Sequence, residues 1–133
     1  MSARRYAQVA TALFALVVVF QLALVAGAPL GAYTQGGANE GTLPSDMRLI
    51  AGASAMIVAA MALTVLANVD LGPLRTASRK SRQWAMRATT GYAGVAVLAN
   101  LATRSPQERA VWAPISIVLL ICCIRVLQNT KQS

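Results

Sequence analysis

The sequence predicts an all-α fold, a bundle of four transmembrane helices with the N-terminus and the C-terminus both on the cytoplasmic side. Apolar residues make up 56% of the 133 residues, whereas charged residues make up only 12%. Water-soluble domains carry about 25% charged residues, so this chain has too little charge to cover a water-exposed surface. Four charge-free segments divide the sequence, and a lipid bilayer is the environment that such segments favour.

The charge-free segments define the predicted helices of a single domain. These helices cover residues 7–28, 48–69, 86–103 and 106–127. At a rise of about 1.5 Å per residue, the first two segments span roughly 30 Å, the thickness of the hydrocarbon core. The charge-free runs within the other two helices, 88–103 and 110–124, reach only about 23–24 Å, so Arg87 and Arg125 must extend toward the head groups. Trp84 and Trp112 lie near helix ends, as interfacial anchors do.

Two alternatives compete with four spanning helices. Two spans and a hairpin lying in the interface would require a strongly polar helix face, which the stretch TTGYAGVAVLANLAT lacks. A cleaved signal peptide would explain Arg4, Arg5 and the small residues 26–28. However, the apolar run of about 22 residues exceeds a usual signal core, and Pro29 would obstruct the cut. We expect the first helix to stay as an anchor.

The distribution of charge predicts the orientation. Nine of the twelve Lys and Arg residues fall on one predicted side: Arg4, Arg5, Arg75, Arg79, Lys80, Arg82, Arg87, Arg125 and Lys131. The other side carries Arg48, Arg104 and Arg109, together with three of the four acidic residues. The formal net charge of +8 therefore lies wholly on the first side. Because cytoplasmic loops carry the excess of Lys and Arg, this side is predicted to be cytoplasmic.

The connection between the second and third helices is strongly basic. Its stretch RTASRKSR contains four residues that we predict to contact anionic lipid head groups: Arg75, Arg79, Lys80 and Arg82. Each such residue contributes about 1 kcal/mol near an anionic surface, and the same charges set the topology. A basic chain can also bind nucleic acid. Here the basic residues lie beside apolar segments without a nucleic-acid-binding motif, so no such partner is expected.

A candidate external cap lies on the opposite side, where a glycine-rich loop and a short turn meet. Its candidate residues are Tyr33, Gln35, Glu40, Arg48, Glu108, Arg109 and Trp112. Ser105, Pro106 and Glu108 match a capping box with proline at the first helical position. Arg48 lies in the first turn of its helix, where the dipole disfavours a cation. We therefore predict that it pairs with Glu108. The loop is either a ligand-binding loop with exposed backbone amides or a flexible connector.

Residue types that support catalysis or metal binding are scarce. Histidine is absent, and the two cysteines, Cys122 and Cys123, are adjacent in an apolar run. Adjacent cysteines seldom form a disulfide, so we interpret them as apolar filler. No phosphate-binding or dinucleotide-binding motif occurs, and no Asp, Glu, Lys, Arg or His lies within a charge-free segment. We expect no cofactor, no metal and no enzymatic activity, and no transport that depends on a carboxylate at the membrane midplane.

Small residues recur at helical spacing on the second and third helices. Ala51, Ala55 and Ala59 are four residues apart, and Gly91 and Gly94 follow on the third helix. Small residues allow helix backbones to approach closely in lipid. This pattern predicts either packing inside the bundle or an interface with a membrane protein partner or a second copy of the chain.

Three stretches, APLGAYTQGG, EGTLPSDMR and TRSPQERAVWAPI, carry a resemblance. They are similar to an uncharacterised family of small four-helix integral membrane proteins of bacteria. The shared pattern is a glycine-rich first external loop, Gly-x-Leu-Pro before the second helix, and Ser-x-x-Glu-Arg-x-x-Trp-x-Pro opening the fourth. The resemblance implies a multi-pass protein of the bacterial cytoplasmic (inner) membrane. It implies no activity.

Together these features predict a small non-catalytic integral membrane protein, either free-standing or an accessory subunit of a larger membrane complex. The alternative is a small transporter or a lipid- or quinone-binding membrane protein that uses the external cap and the helix interior.

Overall fold

The computed structural model describes residues 1–132, and this part of the chain folds as four α-helices without a strand. The helices are α1 (Ala3–Val25), α2 (Ser45–Ala67), α3 (Arg79–Ala102) and α4 (Pro106–Gln132). Short 3₁₀ turns occupy Gly31–Tyr33, Gln35–Gly37 and Pro73–Thr76. Each helix packs against the next one, and α4 packs back against α1. The result is a ring of four helices in which α2 and α3 share the least extensive interface.

Three of the four helices, α1, α2 and α4, are long and apolar enough to cross a membrane. The all-α fold class is therefore confirmed, together with three candidate spans. The remaining helix, α3, is less apolar because its first three turns contain Arg79, Lys80, Arg82 and Arg87. The fourth span stays a prediction.

Helix α3 begins seven residues before its predicted start, at Arg79. Ser78 serves as its N-cap, since the Ser78 hydroxyl accepts a hydrogen bond of 3.1 Å from the Ser81 amide. Arginine and lysine are good helix formers, so a capped basic segment extends the helix beyond its apolar run. Three of the four predicted lipid-contacting residues thus lie on a helix and not in a loop. In the same way, the Ser2 hydroxyl caps α1 by accepting from the Arg5 amide at 3.2 Å.

The two ends of the bundle differ in character. The end that we call the cap end holds the last turns of α1 and α3, the first turns of α2 and α4, the loop 26–44 and the turn 103–105. The opposite end, called the basic end, holds the other helix termini and the segment 68–78. The nine basic residues that the sequence assigned to one side all belong to the half of the bundle near the basic end.

The main core lies in the middle of the bundle and toward the basic end. Its largest fully buried side chains include Phe14, Val58, Met86 and Val126. Cys123 is also fully buried there and forms no disulfide. A smaller cluster at the cap end contains Leu24, Leu43 and Ala51. Ala51 and Ala55 are buried, so these small residues of α2 serve packing inside the bundle.

Large apolar side chains cover much of the outer surface. Leu49 and Met56 of α2 are 77% and 76% exposed, and Val95 and Leu98 of α3 are 65% and 69% exposed. A water-soluble bundle places polar residues at such positions. The second half of α3 therefore shows the same apolar exterior as the three candidate spans.

A polar junction ties three helices together at the basic end. Arg82 donates to the carbonyl oxygen of Ala67 at 2.8 Å and to Oδ1 of Asp70 at 3.0 Å. Asn68 donates to the carbonyl oxygen of Arg82 at 3.1 Å, and the Thr130 hydroxyl of α4 donates to Oδ1 of Asn68 at 3.4 Å. Arg82 therefore holds the end of α2 against α3. Its predicted contact with anionic lipid head groups stays a prediction.

Replacing Arg82 by alanine is expected to lower the free energy of unfolding by about 2 kcal/mol, because the Ala67 carbonyl group and Asp70 lose a charged donor. Lys80 is exposed and makes no such contact, so Lys80→Ala should change the free energy of unfolding by less than about 0.5 kcal/mol. Thermal unfolding in a mild detergent measures both variants. Equal shifts of the unfolding temperature in the two variants would show that the junction does not depend on Arg82.

Candidate functional site: a capped cavity

The loop at the cap end is folded by its own glycines. The Gly31 amide donates to the Gly41 carbonyl oxygen at 2.8 Å and closes the loop on itself. Gln35, Gly36 and Gly37 have φ angles of 50°, 73° and 71°, a left-handed run that favours glycine. A Cβ atom on Gly37 would lie 2.7 Å from Cβ of Ser105. Glycine at this position therefore allows the loop to contact the start of α4.

Three hydrogen bonds join this loop to Ser105, which precedes α4, and to the first two turns of α4. The Gly36 amide donates to Oε2 of Glu108 at 2.9 Å, and indole Nε1 of Trp112 donates to the Tyr33 carbonyl oxygen at 2.9 Å. The Ser105 hydroxyl donates to the Ala32 carbonyl oxygen. We call residues 30–37 the cap. The cap is thus an ordered part of the fold, held by side chains of α4.

The predicted capping box is formed only in part. The Ser105 hydroxyl accepts from the Glu108 amide at 3.1 Å, as an N-cap residue should. The Glu108 carboxylate does not return to the Ser105 amide, which instead donates to the Thr103 hydroxyl at 3.2 Å. That hydroxyl donates to Oε2 of Glu108 at 2.9 Å. The Thr103 hydroxyl thus accepts the hydrogen bond of the Ser105 amide in place of the Glu108 carboxylate. The carboxylate is therefore able to accept from the Gly36 amide of the cap.

The predicted ion pair between Arg48 and Glu108 is wrong. Arg48 donates through Nε and Nη2 to the Val25 carbonyl oxygen, at 2.9 and 2.6 Å. This carbonyl group ends α1, where the helix dipole is negative and a cation is stabilised. The compensating partner of Arg48 is therefore a helix terminus and not an acidic side chain.

A double-mutant cycle with Arg48→Ala and Glu108→Ala is accordingly expected to give additive losses of stability, within about 0.5 kcal/mol. The two side chains contact different partners, Val25 and Gly36. Unfolding in detergent provides the readout for the two single variants and the double variant. A coupling energy above about 1 kcal/mol would show that Arg48 and Glu108 interact directly.

The other predicted cap residues divide into three groups. Gln35 donates to the Met47 carbonyl oxygen at 3.2 Å and so binds the cap to α2. Tyr33 and Trp112 line a cavity beneath the cap. Glu40 is exposed, and Arg109 donates to the Thr103 carbonyl oxygen at 3.0 Å on the outer side of the turn. Glu40 and Arg109 therefore do not belong to the cavity.

The cavity lies inside the ring of helices below the cap and has a volume of about 210 Å³. All four helices and the cap contribute to its wall. The lining residues are Phe14, Val17, Phe20, Gln21, Tyr33, Thr34, Val58, Tyr92, Ala96, Ala99, Asn100, Glu108, Trp112, Ile115, Ser116 and Leu119. The rings of Phe20 and Trp112 meet in the upper wall, with centroids 4.8 Å apart and an interplanar angle of 58°.

The cavity wall changes from polar to apolar along the bundle axis. Near the cap it is formed by Gln21, Asn100 and Glu108. Its deep end is formed mainly by apolar side chains such as Phe14 and Leu119, together with Tyr92 and Ser116. Phe14 lies eleven residues before the end of α1 at Val25, which places it about 16 Å along the helix axis. This gradient matches an amphipathic molecule with its polar part toward the cap.

Polar atoms of the wall are incompletely hydrogen-bonded within residues 1–132. The Gln21 amide makes no hydrogen bond there, and Asn100 reaches the Trp112 carbonyl oxygen only at 3.5 Å. The sequence places both amides within apolar helices, where such groups usually make interhelical hydrogen bonds. It did not reveal Phe14, Phe20 and Tyr92 as lining residues, because periodicity does not separate a packed helix face from one that borders a cavity.

Comparison with known proteins adds no family. No family model matches the chain, and no curated protein and no solved structure matches it. Within residues 1–132, no group of three His, Cys, Asp or Glu side chains is placed to hold a metal ion. The fold and the apolar helices define the class of protein, an all-helical bundle suited to a membrane and carrying a capped cavity.

Proposed function

We propose that this chain is a non-catalytic, multi-pass protein of the bacterial cytoplasmic membrane, and that its capped cavity binds a small amphipathic molecule such as a quinone or a lipid. The observation that carries the proposal is the cavity itself, with a polar rim near the cap and an apolar floor. The other interpretation, an accessory subunit of a larger membrane complex, rests on no feature of the cap end and stays a prediction.

The exterior of α3 supports a four-span topology. Val95, Leu98 and Leu101 project from its second half, at 65%, 69% and 50% exposure. In the proposed arrangement these side chains face lipid, and Arg87 lies at 5.1 Å over the ring of Trp84 near the interface. The nine Lys and Arg residues nearer the basic end support a cytoplasmic location for both termini. Arg75, Arg79 and Lys80 are exposed there and are proposed to contact anionic head groups.

Topology is tested by reporter fusions at the C-terminus. A fluorescent protein that matures only in the cytoplasm is expected to be bright, while a phosphatase that folds only outside is expected to be inactive, because charge bias places the basic end inside. A fusion at residue 104, in the turn at the cap end, serves as the control and should give the opposite pattern. The reverse pattern at these two positions would contradict the proposed external location of the cap.

The size and lining of the cavity support ligand binding. An apolar protein cavity of about 150 Å³ accommodates benzene, so 210 Å³ leaves room for a ring with several small substituents. Ligand sites are typically concave and mostly apolar, with a few polar groups that set the orientation. Gln21 and Asn100 are such groups. The Gln21 amide has no hydrogen-bond partner within the described chain, and a polar ligand atom would supply one.

Native mass spectrometry of the protein in mild detergent tests this binding. The unaltered protein is expected to retain a small non-protein mass, and Ala96→Phe should reduce its occupancy at least about tenfold by filling the cavity. Ala88→Phe provides the matched control, because Ala88 is an exposed residue of the same helix. Equal occupancy in the two variants would place the bound molecule outside the cavity. The proposed function would be contradicted if the unaltered protein retained no small molecule and also bound none of those added at a saturating concentration.

A further inference from the structure

The carboxylate of Glu108 is the charged group of the cavity wall, and it has no cationic partner. The ion pair between Arg82 and Asp70, at the opposite end of the bundle, is the only one within residues 1–132. Both hydrogen bonds to the Glu108 carboxylate come from neutral donors, Gly36 and Thr103, and both reach Oε2. Oε1 accepts no hydrogen bond from the described chain. Glu108 thus belongs to the cavity wall with one carboxylate oxygen that no donor of the described chain occupies.

Aromatic rings are concentrated around the same cavity. The chain has two Trp, three Tyr and two Phe, and five of these seven line the cavity: Phe14, Phe20, Tyr33, Tyr92 and Trp112. The face of an aromatic ring attracts a cation, most strongly for Trp, and such rings commonly bind alkylated ammonium groups. Rings and a carboxylate around one small cavity form a suitable environment for an organic cation.

The nearby arginines do not neutralise this site. Arg48 binds the end of α1 through Val25, and Arg109 is exposed and donates to the Thr103 carbonyl oxygen. No Lys or Arg side chain belongs to the cavity wall. An anionic head group would meet the Glu108 carboxylate without a compensating cation, so a phosphate or a fatty-acid carboxylate is disfavoured.

On these grounds we propose that the preferred ligand of the cavity is a lipophilic organic cation, an alkylated ammonium group attached to a small apolar body. This inference rests on the proposed function, since it names the ligand class of the same cavity. The ammonium group lies near Oε1 of Glu108 and the Trp112 ring, and the apolar body extends toward Phe14. Phospholipid head groups are excluded from this class because their phosphate would lie beside the carboxylate.

A pair of isosteric probes tests the assignment: phenyltrimethylammonium, which is cationic, and tert-butylbenzene, which is neutral. Calorimetric titration of the purified protein in mild detergent gives the affinity for each. We expect Glu108→Gln to weaken binding of the cation by about tenfold or more, which corresponds to about 1.4 kcal/mol. Binding of tert-butylbenzene should change less than twofold. The glutamine carbonyl oxygen can still accept from Gly36 and Thr103, so the cap is expected to stay in place.

Glu40→Gln is the matched control, because it removes the same charge from an exposed position outside the cavity wall. It should leave both affinities unchanged. Saturable binding of tert-butylbenzene without binding of phenyltrimethylammonium to the unaltered protein would overturn the cation assignment and leave the proposed function standing. Because both probes are titrated into the unaltered protein, this outcome does not depend on the folding of any variant. Equal cation affinity for the unaltered protein and Glu108→Gln would also overturn the assignment, and binding of neither probe would overturn the proposed function itself.

Discussion

Replacing Gly31 by alanine is expected to displace the cap and to produce the largest loss of stability for a single added methyl group. The new Cβ atom would lie 1.7 Å from the Asn39 carbonyl oxygen and 2.7 Å from the Gly41 carbonyl oxygen. Both obstacles are backbone atoms, so the loop itself must move. The hydrogen bonds of the cap to α4 depend on that loop, and we expect a cost of about 3 kcal/mol or more.

Gly91→Ala provides the control for this prediction. A Cβ atom at Gly91 meets nothing within 4 Å, and the residue is exposed in the middle of α3. Alanine is favoured over glycine in a helix by about 0.5–1 kcal/mol, so this variant should be slightly more stable. Thermal unfolding in detergent compares the two variants, and limited proteolysis of the loop reports whether the cap has moved. Similar stability for both would mean that the loop is not packed as described.

Truncation of Trp112 to alanine is expected to have the second largest effect. Its indole holds the cap through the hydrogen bond to Tyr33 and packs against Phe20 in the cavity wall. Loss of a packed aromatic side chain costs about 3–5 kcal/mol in protein cores. Since Trp112 is only half-buried, we expect a loss near about 3 kcal/mol, together with loss of ligand from the enlarged cavity.

Trp84→Ala is the corresponding control. Trp84 is 60% exposed, and the Arg87 guanidinium lies over its ring at 5.1 Å from the centroid. An exposed cation–π contact contributes about 0.5–1 kcal/mol, so this variant should lose no more than that. Chemical unfolding of both variants, with native mass spectrometry for the ligand, separates the two positions. Retention of ligand and stability by Trp112→Ala would contradict the role of the indole in the wall.

The sequence predicts a helix where a long apolar run occurs, and it does not predict helical segments that lack such a run. The runs located α1, α2 and α4, because the interior and the outer surface of these helices are both apolar. The start of α3 was not located, since a serine N-cap followed by Arg79 and Lys80 produces a helix without an apolar signal. A local pattern was sufficient for the hydrogen bond between Ser105 and Glu108, which are three residues apart.

The long-range contacts of the cap were not predictable by the same reasoning. Gly36 and Glu108 are 72 residues apart, and no periodicity connects a loop amide with a carboxylate at that separation. The partner of Arg48 is the backbone of Val25, and a sequence shows side-chain types without showing where helix ends meet. The cavity depends on the rotation of four helices relative to one another, so its lining emerged only from the fold. The bacterial membrane location stays a prediction.

Fluorescence of a single tryptophan tests the central claim, that an amphipathic ligand binds inside the bundle beneath the cap. Trp84→Phe leaves Trp112 as the only tryptophan, in the cavity wall, whereas Trp112→Phe leaves only the exposed Trp84. Both variants are reconstituted into lipid vesicles and titrated with decylubiquinone, whose quinone ring quenches indole emission. The account predicts saturable quenching of Trp112 and linear quenching of Trp84, which reports only partition into the bilayer. Linear and equal quenching of both tryptophans would contradict the proposed binding of a quinone in the cavity.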